Sequence, residues 1–229
     1  STPPSNSPGY TEKITAAGTT TFTGLTPGTK YYLSVLARNG ATWDNNGYGD
    51  KSAEFSVTTH TTPSAPSAPS VSTVSQSNIS VSWTAPANGG TAITGYDIQR
   101  ATNSSFTSEV STSTSTSTSL TFTGLSNGTT YYVRVRANNA AGAGDWSSGA
   151  NTTTWDVPSA PAEPSISDVT ADSLRVSFTA PGNNGAAISA YQTQISTSSS
   201  FSIVKETKSG NSPITFSGLD NHTTYYVRT

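Results

Sequence analysis

Residues that could support catalysis are few and scattered along this chain. The two His residues, His60 and His222, lie 222 − 60 = 162 positions apart, in a proline-rich segment and in a turn before a strand. This separation excludes a shared metal site or a Ser/His relay. The carboxylates Asp97, Glu109 and Asp145 are single and dispersed, so no pair is predicted for general acid and base catalysis. The chain also has no Cys, which excludes a thiolate nucleophile and a disulfide framework. We therefore predict that the chain is not an enzyme and has no catalytic residue, no metal site and no cofactor.

Two glycine-rich segments have the composition of a phosphate-binding loop. They are Asn88-Gly89-Gly90 and Asn183-Asn184-Gly185. A phosphate cradle needs a helix that follows the loop and points its N-terminus at the anion, and no helical pattern follows either segment. Asn and Gly also accept positive φ, so the sequence predicts tight turns between strands at both places.

Charge and hydropathy argue against two classes of partner. Charged residues make up 10% of the chain and the net charge is −2, so no broad field attracts nucleic acid or an anionic membrane. No apolar run approaches the about 20 residues that a membrane-spanning helix needs. The first ten residues lack the basic and apolar parts of a secretory signal. We expect neither nucleic-acid binding nor membrane insertion.

Internal repeats organise the chain. Residues 20–39, 119–138 and 213–229 share one pattern, and residues 79–96 and 174–191 share another, with the final Tyr of the second pattern repeating after 191 − 96 = 95 positions. Within each repeat apolar and polar residues alternate with a period of two, which indicates half-buried antiparallel strands. Clusters of Gly, Pro and Asn separate these short runs. The pattern is typical of an all-β sandwich that repeats about every 95 residues.

The repeated residues resemble the fibronectin type III domain over nearly the whole chain. The resemblance rests on an aromatic residue of the second strand, a Tyr of the third strand, and the run Leu-x-Asn-Gly-Thr-x-Tyr-x-Val-x-Val-x-Ala at 125–137. It implies tandem immunoglobulin-like β-sandwiches. The core residues that follow from it are Leu25, Trp83, Tyr96, Leu125, Phe178, Tyr191 and Leu219. The resemblance also makes Tyr31, Tyr131 and Tyr225 the tyrosine-corner residues, whose hydroxyl groups tie a strand to nearby backbone.

One predicted core position departs from the repeat. Thr193 stands in the third repeat where Ile98 stands in the middle one, which places a hydroxyl group in the core. Either that hydroxyl bonds to backbone or the third repeat is less stable than the middle one.

Proline-rich stretches mark the predicted domain boundaries. They lie at 61–69 and 157–164 and are expected to be short, semi-rigid joints. They divide the chain into the C-terminal part of one domain at 1–62, a complete domain at 63–155, and the N-terminal part of a third at 156–229 that lacks its last strand. The first and last units are thus predicted to be incomplete, and we expect the chain to belong to a longer polypeptide, which the mass of the intact source protein tests.

Loop aromatic and acidic residues are the candidates for binding. The loop that precedes the last strand carries Trp43, Asp44 and Tyr48 in the first repeat, and Asp145 and Trp146 in the middle one. Exposed aromatic rings stack on sugars or anchor protein partners. The alternative is that each ring folds back over the open end of its own sandwich.

The Ser/Thr tract at 111–119 offers a second surface feature. It reads STSTSTSTS, which suits either a sugar acceptor region or an exposed edge strand or loop, and the second interpretation is favoured.

We predict from these features a non-enzymatic structural spacer or adhesive array. The turn NGGTAITGY, the Ser/Thr-rich strands and the lack of Cys are similar to fibronectin type III units of bacterial secreted proteins and bacteriophage tail or surface proteins. This resemblance implies an extracellular place on a virion or a bacterial surface, with protein subunits of a larger assembly as partners. Two alternatives remain: a module that binds surface glycans or a receptor, and an accessory linker region of a secreted polysaccharide-degrading enzyme.

Overall fold

The computed structural model describes residues 18–38 and 48–229. The regular secondary structure of these residues consists of strands, all paired antiparallel, which confirms the predicted all-β tandem sandwich class. In this part of the chain no helix is long and apolar enough to cross a membrane.

The first segment contributes four short strands in two pairs. Strand β1 pairs with β4, and β2 pairs with β3. Leu25 differs from its predicted core position, because 37% of it is exposed. The two two-stranded sheets described for this segment leave that side chain open to solvent. The four strands are β1 (Lys30–Leu33), β2 (Leu36–Arg38), β3 (Tyr48–Lys51) and β4 (Phe55–Thr58).

The middle module is a sandwich of two sheets built from eight strands. These are β5 (Ser70–Thr73), β6 (Ile79–Ser82), β7 (Ile93–Ala101), β8 (Ser111–Ser115), β9 (Ser119–Phe122), β10 (Thr130–Asn139), β11 (Gly142–Ala143) and β12 (Ala150–Thr153). One sheet has the order β5-β6-β9; the other has the order β11-β10-β7-β8, with β12 also paired to β10. The first five residues of the Ser/Thr tract therefore form the edge strand β8, and its last residue, Ser119, begins β9.

The core of the middle module lies between these two sheets. Along β10 every second side chain is buried, so that Val133, Val135 and Ala137 are fully covered. From the other elements Trp83 and Tyr96 pack edge to face, with ring centroids 5.3 Å apart. Because the side-chain period of a strand is two, the β10 residues that alternate with Val133, Val135 and Ala137 face outward on the same sheet.

The third module repeats this arrangement with six strands. One sheet has the order β13-β14-β17 and the other the order β16-β15-β18. Phe178 and Leu219 pack partly buried against its core, and the half-buried Tyr191 ring lies 5.0 Å from the Phe178 ring. The strands are β13 (Ser165–Ser167), β14 (Ser173–Ser177), β15 (Gln192–Ser196), β16 (Val204–Ser209), β17 (Ile214–Ser217) and β18 (Tyr226–Arg228).

The hydroxyl of Thr193 finds a partner in the core of the third module. The residue is fully buried in β15, and its hydroxyl lies 3.2 Å from the hydroxyl of Thr229. The partner is therefore a side chain and not the backbone, which was one of the two alternatives that the sequence left open. This contact satisfies a polar group that burial would otherwise penalise.

In each repeat a tyrosine hydroxyl bonds to the turn that precedes the tyrosine's own strand. The hydroxyl groups of Tyr31, Tyr131 and Tyr225 each accept a hydrogen bond from the backbone N–H five residues earlier. The donors are Thr26, Ser126 and Asp220, at 2.9, 3.1 and 2.9 Å.

Candidate functional site

The predicted binding residues have different outcomes in the structure. Trp43 and Asp44 lie outside the described residues, and Tyr48 is the first residue of β3. Asp145 and Trp146 lie between β11 and β12, where Asp145 is exposed and Trp146 is half-buried. Only the last two are placed together, and they border the outer face of the sheet formed by β7, β8 and β10.

Trp146 packs on two arginines of β10. The guanidinium carbons of Arg134 and Arg136 lie 4.8 Å and 4.6 Å from its ring centroid. The two arginines share the outward face because they are two positions apart on one strand. Ser147 fixes the ring there, since its N–H donates to the Val135 carbonyl at 2.8 Å and its hydroxyl accepts from the Val135 N–H at 3.0 Å. The Trp146 ring thus lies on the sheet and not over the end of the sandwich.

The stack continues on both sides of Trp146. Arg134 lies 4.2 Å from the centroid of the Phe106 ring and donates two hydrogen bonds, of 2.8 and 2.6 Å, to the side-chain oxygen of Gln99. Arg136 donates to the Asp97 carboxylate at 2.8 Å. We call this row of five side chains, Phe106, Arg134, Trp146, Arg136 and Asp97, the arginine-aromatic ladder.

The third module carries a shorter form of the same ladder. Arg228 lies 4.3 Å from the Phe201 ring centroid and donates to the Gln194 side chain at 2.7 Å. Phe201 follows Phe106 by 201 − 106 = 95 positions, which is the repeat length. Sequence reasoning missed both Phe residues, although their recurrence at this spacing was a signal that could have found them.

The ladder limits what this face can bind. Two guanidinium groups already lie over the Trp146 ring, and cation–π contacts of this kind contribute roughly 0.5–2 kcal/mol. The ring face of Trp146 that meets the two arginines is therefore used to stabilise the sheet and is closed to a sugar.

A charged cluster on the third module holds the described groups whose pKa values are perturbed. The Lys205 ammonium donates to the carboxylate of Asp220 and to the Tyr225 hydroxyl, which donates to the same carboxylate at 3.0 Å. The hydrogen bonds from Lys205 and Tyr225, and then the charge of Lys205, hold the pKa of Asp220 below its ordinary value. The hydrogen bond to Asp220 raises the pKa of Lys205. Both shifts favour the charged pair, which reinforces the tyrosine corner.

The residues considered for catalysis and phosphate binding occupy structural positions. His60 packs against Gly90, and His222 occupies a turn with a φ of 54°. The segments 88–90 and 183–185 form turns, in which Gly89 has a φ of 69° and Asn184 one of 48°. In the part of the chain that the structure describes, no three His, Asp or Glu side chains are grouped so that they could hold a metal ion.

The family comparison assigns two stretches of the chain. A model of the fibronectin type III domain matches residues 64–153 and 159–229, which together cover more than half of the sequence. These stretches correspond to the middle and third modules.

Solved structures similar to the chain include the following three. A crystal structure of several titin domains is 25% identical with a TM-score of 0.40, covering 55% of this chain and 41% of that one. The twitchin kinase region from C. elegans is 25% identical with a TM-score of 0.37, covering 40% and 16%. The sixth fibronectin type III domain of the human fibronectin type III domain containing protein 3 is 29% identical with a TM-score of 0.36, covering 40% and 85%. The chain thus spans about two fifths of the titin fragment and less of the twitchin one.

Proposed function

The chain belongs to the fibronectin type III family, and from that premise we propose that it is a non-enzymatic structural array on an extracellular surface. Modules of this family are structural or binding units and are generally not catalytic. In the proposed role the array spaces or presents other protein subunits of a larger assembly, on a virion such as a phage tail or on a bacterial surface.

The arginine-aromatic ladder is the observation that supports a spacer over a sugar-binding module. Its exposed sheet face is filled by contacts among its own side chains, with Arg134 between Phe106 and Trp146. When the charged and aromatic side chains of an outer face contact one another, that face can be exposed to solvent without a ligand. The third module repeats the contact with Arg228 and Phe201, as expected for a property of the scaffold.

A likeness in composition supports a place outside the cell. The chain has no Cys and 10% charged residues, and its strands are rich in Ser and Thr. The lack of thiols makes the chain indifferent to redox state and so by itself favours neither compartment. The likeness of these features to units of bacterial secreted proteins and phage tail or surface proteins supports the same location.

Immunogold electron microscopy tests the location. An antibody raised against the 229-residue chain is applied to intact cells and to virus particles from the source organism. We expect label on the outside of one of these objects, and none on the same object from a strain that lacks the gene. Label confined to the interior of the cell would overturn the surface role.

A glycan array tests the spacer against the adhesive alternative. The wild-type chain and the Trp146→Ala variant are applied to the same array. We expect neither to be retained on any glycan. Retention of the wild type that the Trp146→Ala variant loses would replace the spacer with a glycan-binding module.

A further inference from the structure

Two joint segments connect successive modules, and they are built alike. We define them as residues 59–64 and 154–159, which correspond residue by residue at a spacing of 154 − 59 = 95. Each segment makes one set of hydrogen bonds with the module that it leaves and another with the module that it enters. The two sets determine how much freedom the joint has.

On the exit side, a Thr hydroxyl fastens the segment to the preceding module. The Thr154 hydroxyl donates to the Ser126 carbonyl at 2.7 Å and accepts from the Thr129 N–H at 3.0 Å. Thr59 repeats both bonds in the first segment, at 2.6 and 3.0 Å. The last strand of each module is thus closed against the turn that precedes the tyrosine-corner strand.

On the entry side, two backbone N–H groups bond to the next module. Asp156 donates to the Asn184 carbonyl and Ser159 to the Gly182 carbonyl, both at 3.0 Å. The first joint repeats these bonds, with one acceptor inside the turn at 88–90 and the other just before it. The donors are Thr61 and Ser64, and the acceptors are Gly89 and Ala87, at 2.8 and 3.0 Å.

Asp156 contacts both modules at once. Its carboxylate accepts from the Asn127 side chain at 2.6 Å, and a Cβ added at Gly128 would lie 2.7 Å from that carboxylate. Its N–H is the donor to Asn184 of the next module. One residue therefore joins a turn of the middle module to a turn of the third.

No residue between the two sets of contacts in the second joint is free of both modules. Thr154 is bound to the middle module and Asp156 to the third, which leaves Trp155 between them. The Trp155 carbonyl accepts from Gly128 of the middle module at 3.1 Å. Its ring packs against the third module, where a Cβ added at Gly185 would lie 2.8 Å from it. A flexible linker needs residues that are free of both domains, and this joint has none.

Each joint contains one proline, Pro63 or Pro158, and the later prolines belong to the next module. Pro63, Pro66 and Pro69 are all buried, at a spacing of three that matches a polyproline II helix with one face against the module. In the third module Pro161 and Pro164 are half-buried at the corresponding places. The sequence predicted that the stretches at 61–69 and 157–164 are the joints. The joint segments 59–64 and 154–159 overlap the beginnings of these stretches.

We propose that the two joints dock successive modules in fixed relative orientations, with the turns 88–90 and 183–185 as preformed docking sites for the chain that leaves the module before. The docking surface fits one partner, the preceding module of the same chain. It goes beyond the surface role proposed above and does not depend on it.

Distance measurements between spin labels test this proposal on the full chain. The chain has no Cys, so substituted Cys residues are the only sites that react with the label. Asn151→Cys with Thr215→Cys spans the second joint, and Ser56→Cys with Thr121→Cys spans the first. All four side chains are exposed. Thr121→Cys with Asn151→Cys lies within the middle module and reports whether that module is folded.

Fixed orientations predict narrow distance distributions across both joints, close to the width within the middle module. Inserting two glycines after Asp156 supplies the width of a free joint, which we expect to be about twofold greater or more. Asp156→Ala and Asn184→Gly should broaden the second distribution, because the first loses the bond to Asn127 and the second loses the side-chain bond to the Val157 carbonyl. Asp145→Ala makes the same chemical change as Asp156→Ala away from this joint and should leave the width unchanged. A wild-type distribution as broad as that of the glycine insertion would overturn the proposal.

Discussion

A phenylalanine with positive φ recurs at the same place in two modules. Phe106 has a φ of 53° and Phe201 one of 52°. The left-handed region costs a residue with a Cβ roughly 1–2 kcal/mol, so the surroundings must compensate for it. At both places the ring lies on an arginine, and a Cβ added at Gly149 would approach the Phe106 ring to 3.2 Å. The contacts of the ring in the ladder therefore offset the cost of the left-handed backbone. The Phe106 ring also occupies the space that a side chain at position 149 would need.

Removing the arginine at the centre of the ladder should destabilise the middle module. Arg134→Ala loses two ring contacts and the paired hydrogen bonds to Gln99, and we expect a decrease of about 2 kcal/mol in the free energy of unfolding. Arg175→Ala is the control, because Arg175 makes one exposed ion pair of 3.4 Å and should cost at most about 0.5 kcal/mol. Urea denaturation measures both. Equal small losses would show that the ladder does not stabilise the module.

The charged cluster at the third tyrosine corner predicts a dependence of stability on pH. Because the folded pKa of Asp220 is below its ordinary value of 3.8, the group stabilises the folded module above that pH. The contribution is lost as the pH falls through the lowered folded pKa. Asp220→Asn should therefore lower the urea midpoint of the third module at neutral pH, and the difference from wild type should shrink in acid.

The matched control for Asp220→Asn is Asp168→Asn, which removes another exposed carboxylate from the same module. We expect its difference from wild type to be smaller at neutral pH. In alkali the contribution of Lys205 has the opposite dependence on pH. Because the folded pKa of Lys205 is raised, its contribution to stability is present below 10.5 and is lost as the pH rises through the folded pKa. A difference between Asp220→Asn and wild type that stays constant from neutral pH into acid would contradict the role of the cluster.

At the scale of strands, alternation in the sequence predicts the elements but not their neighbours. Val133 and Val135 follow a period of two, and the structure buries both in β10. The ladder could not be predicted in the same way, because it depends on register: Arg134 lies opposite Gln99, and Arg136 opposite Asp97. Pairing partners are set by the whole sandwich, and a single strand does not encode them. Leu25 likewise fits a core pattern and yet is exposed, since burial depends on what packs against a side chain.

The strand β15 offers a test of a buried polar group. Thr193→Val replaces a fully buried hydroxyl with a methyl group of similar size. Its partner, Thr229, is only half-buried and can bond to water instead. We expect the third module to gain up to about 1 kcal/mol, because apolar burial increases and no buried partner loses its bond.

The control for this substitution is Thr215→Val on β17, where the side chain is exposed. That change should leave the free energy of unfolding nearly constant, within about 0.5 kcal/mol. If Thr193→Val instead destabilised the module by more than 1 kcal/mol, the hydroxyl pair would have to be a specific stabilising contact.

At the scale of the whole molecule, the joints turn a series of modules into a connected object. The contacts at 59–64 and 154–159 match one another in partner and position, although the residues that make them differ: His60 stands where Trp155 stands, and Thr61 where Asp156 stands. The second joint has in addition the bond between Asp156 and Asn127. The entry-side bonds that the joints share come from backbone groups, and the exit-side bonds come from a Thr that both joints have, so the joints share this framework although they differ at other side chains. This is also why the bonds of the joint could not be predicted from the sequence, which showed the proline-rich stretches but gave no sign of the backbone hydrogen bonds at their beginnings.

A comparison of two glycines with the same backbone conformation distinguishes the effect of the joint contact from the cost of left-handed backbone alone. Gly89 has a φ of 69° and Gly124 one of 68°, so replacing either with Ala carries the same left-handed cost of roughly 1–2 kcal/mol. A Cβ at Gly89 would lie 2.3 Å from the Thr61 carbonyl oxygen, whereas one at Gly124 would meet nothing within 4 Å. We expect Gly124→Ala to cost only the backbone term and to leave the distance between labels at Ser56 and Thr121 unchanged. Gly89→Ala should cost more and shift or broaden that distance, because the entering chain must move away from the turn. If the two variants had the same stability and the same label distances, the turn at 88–90 would not be a docking site.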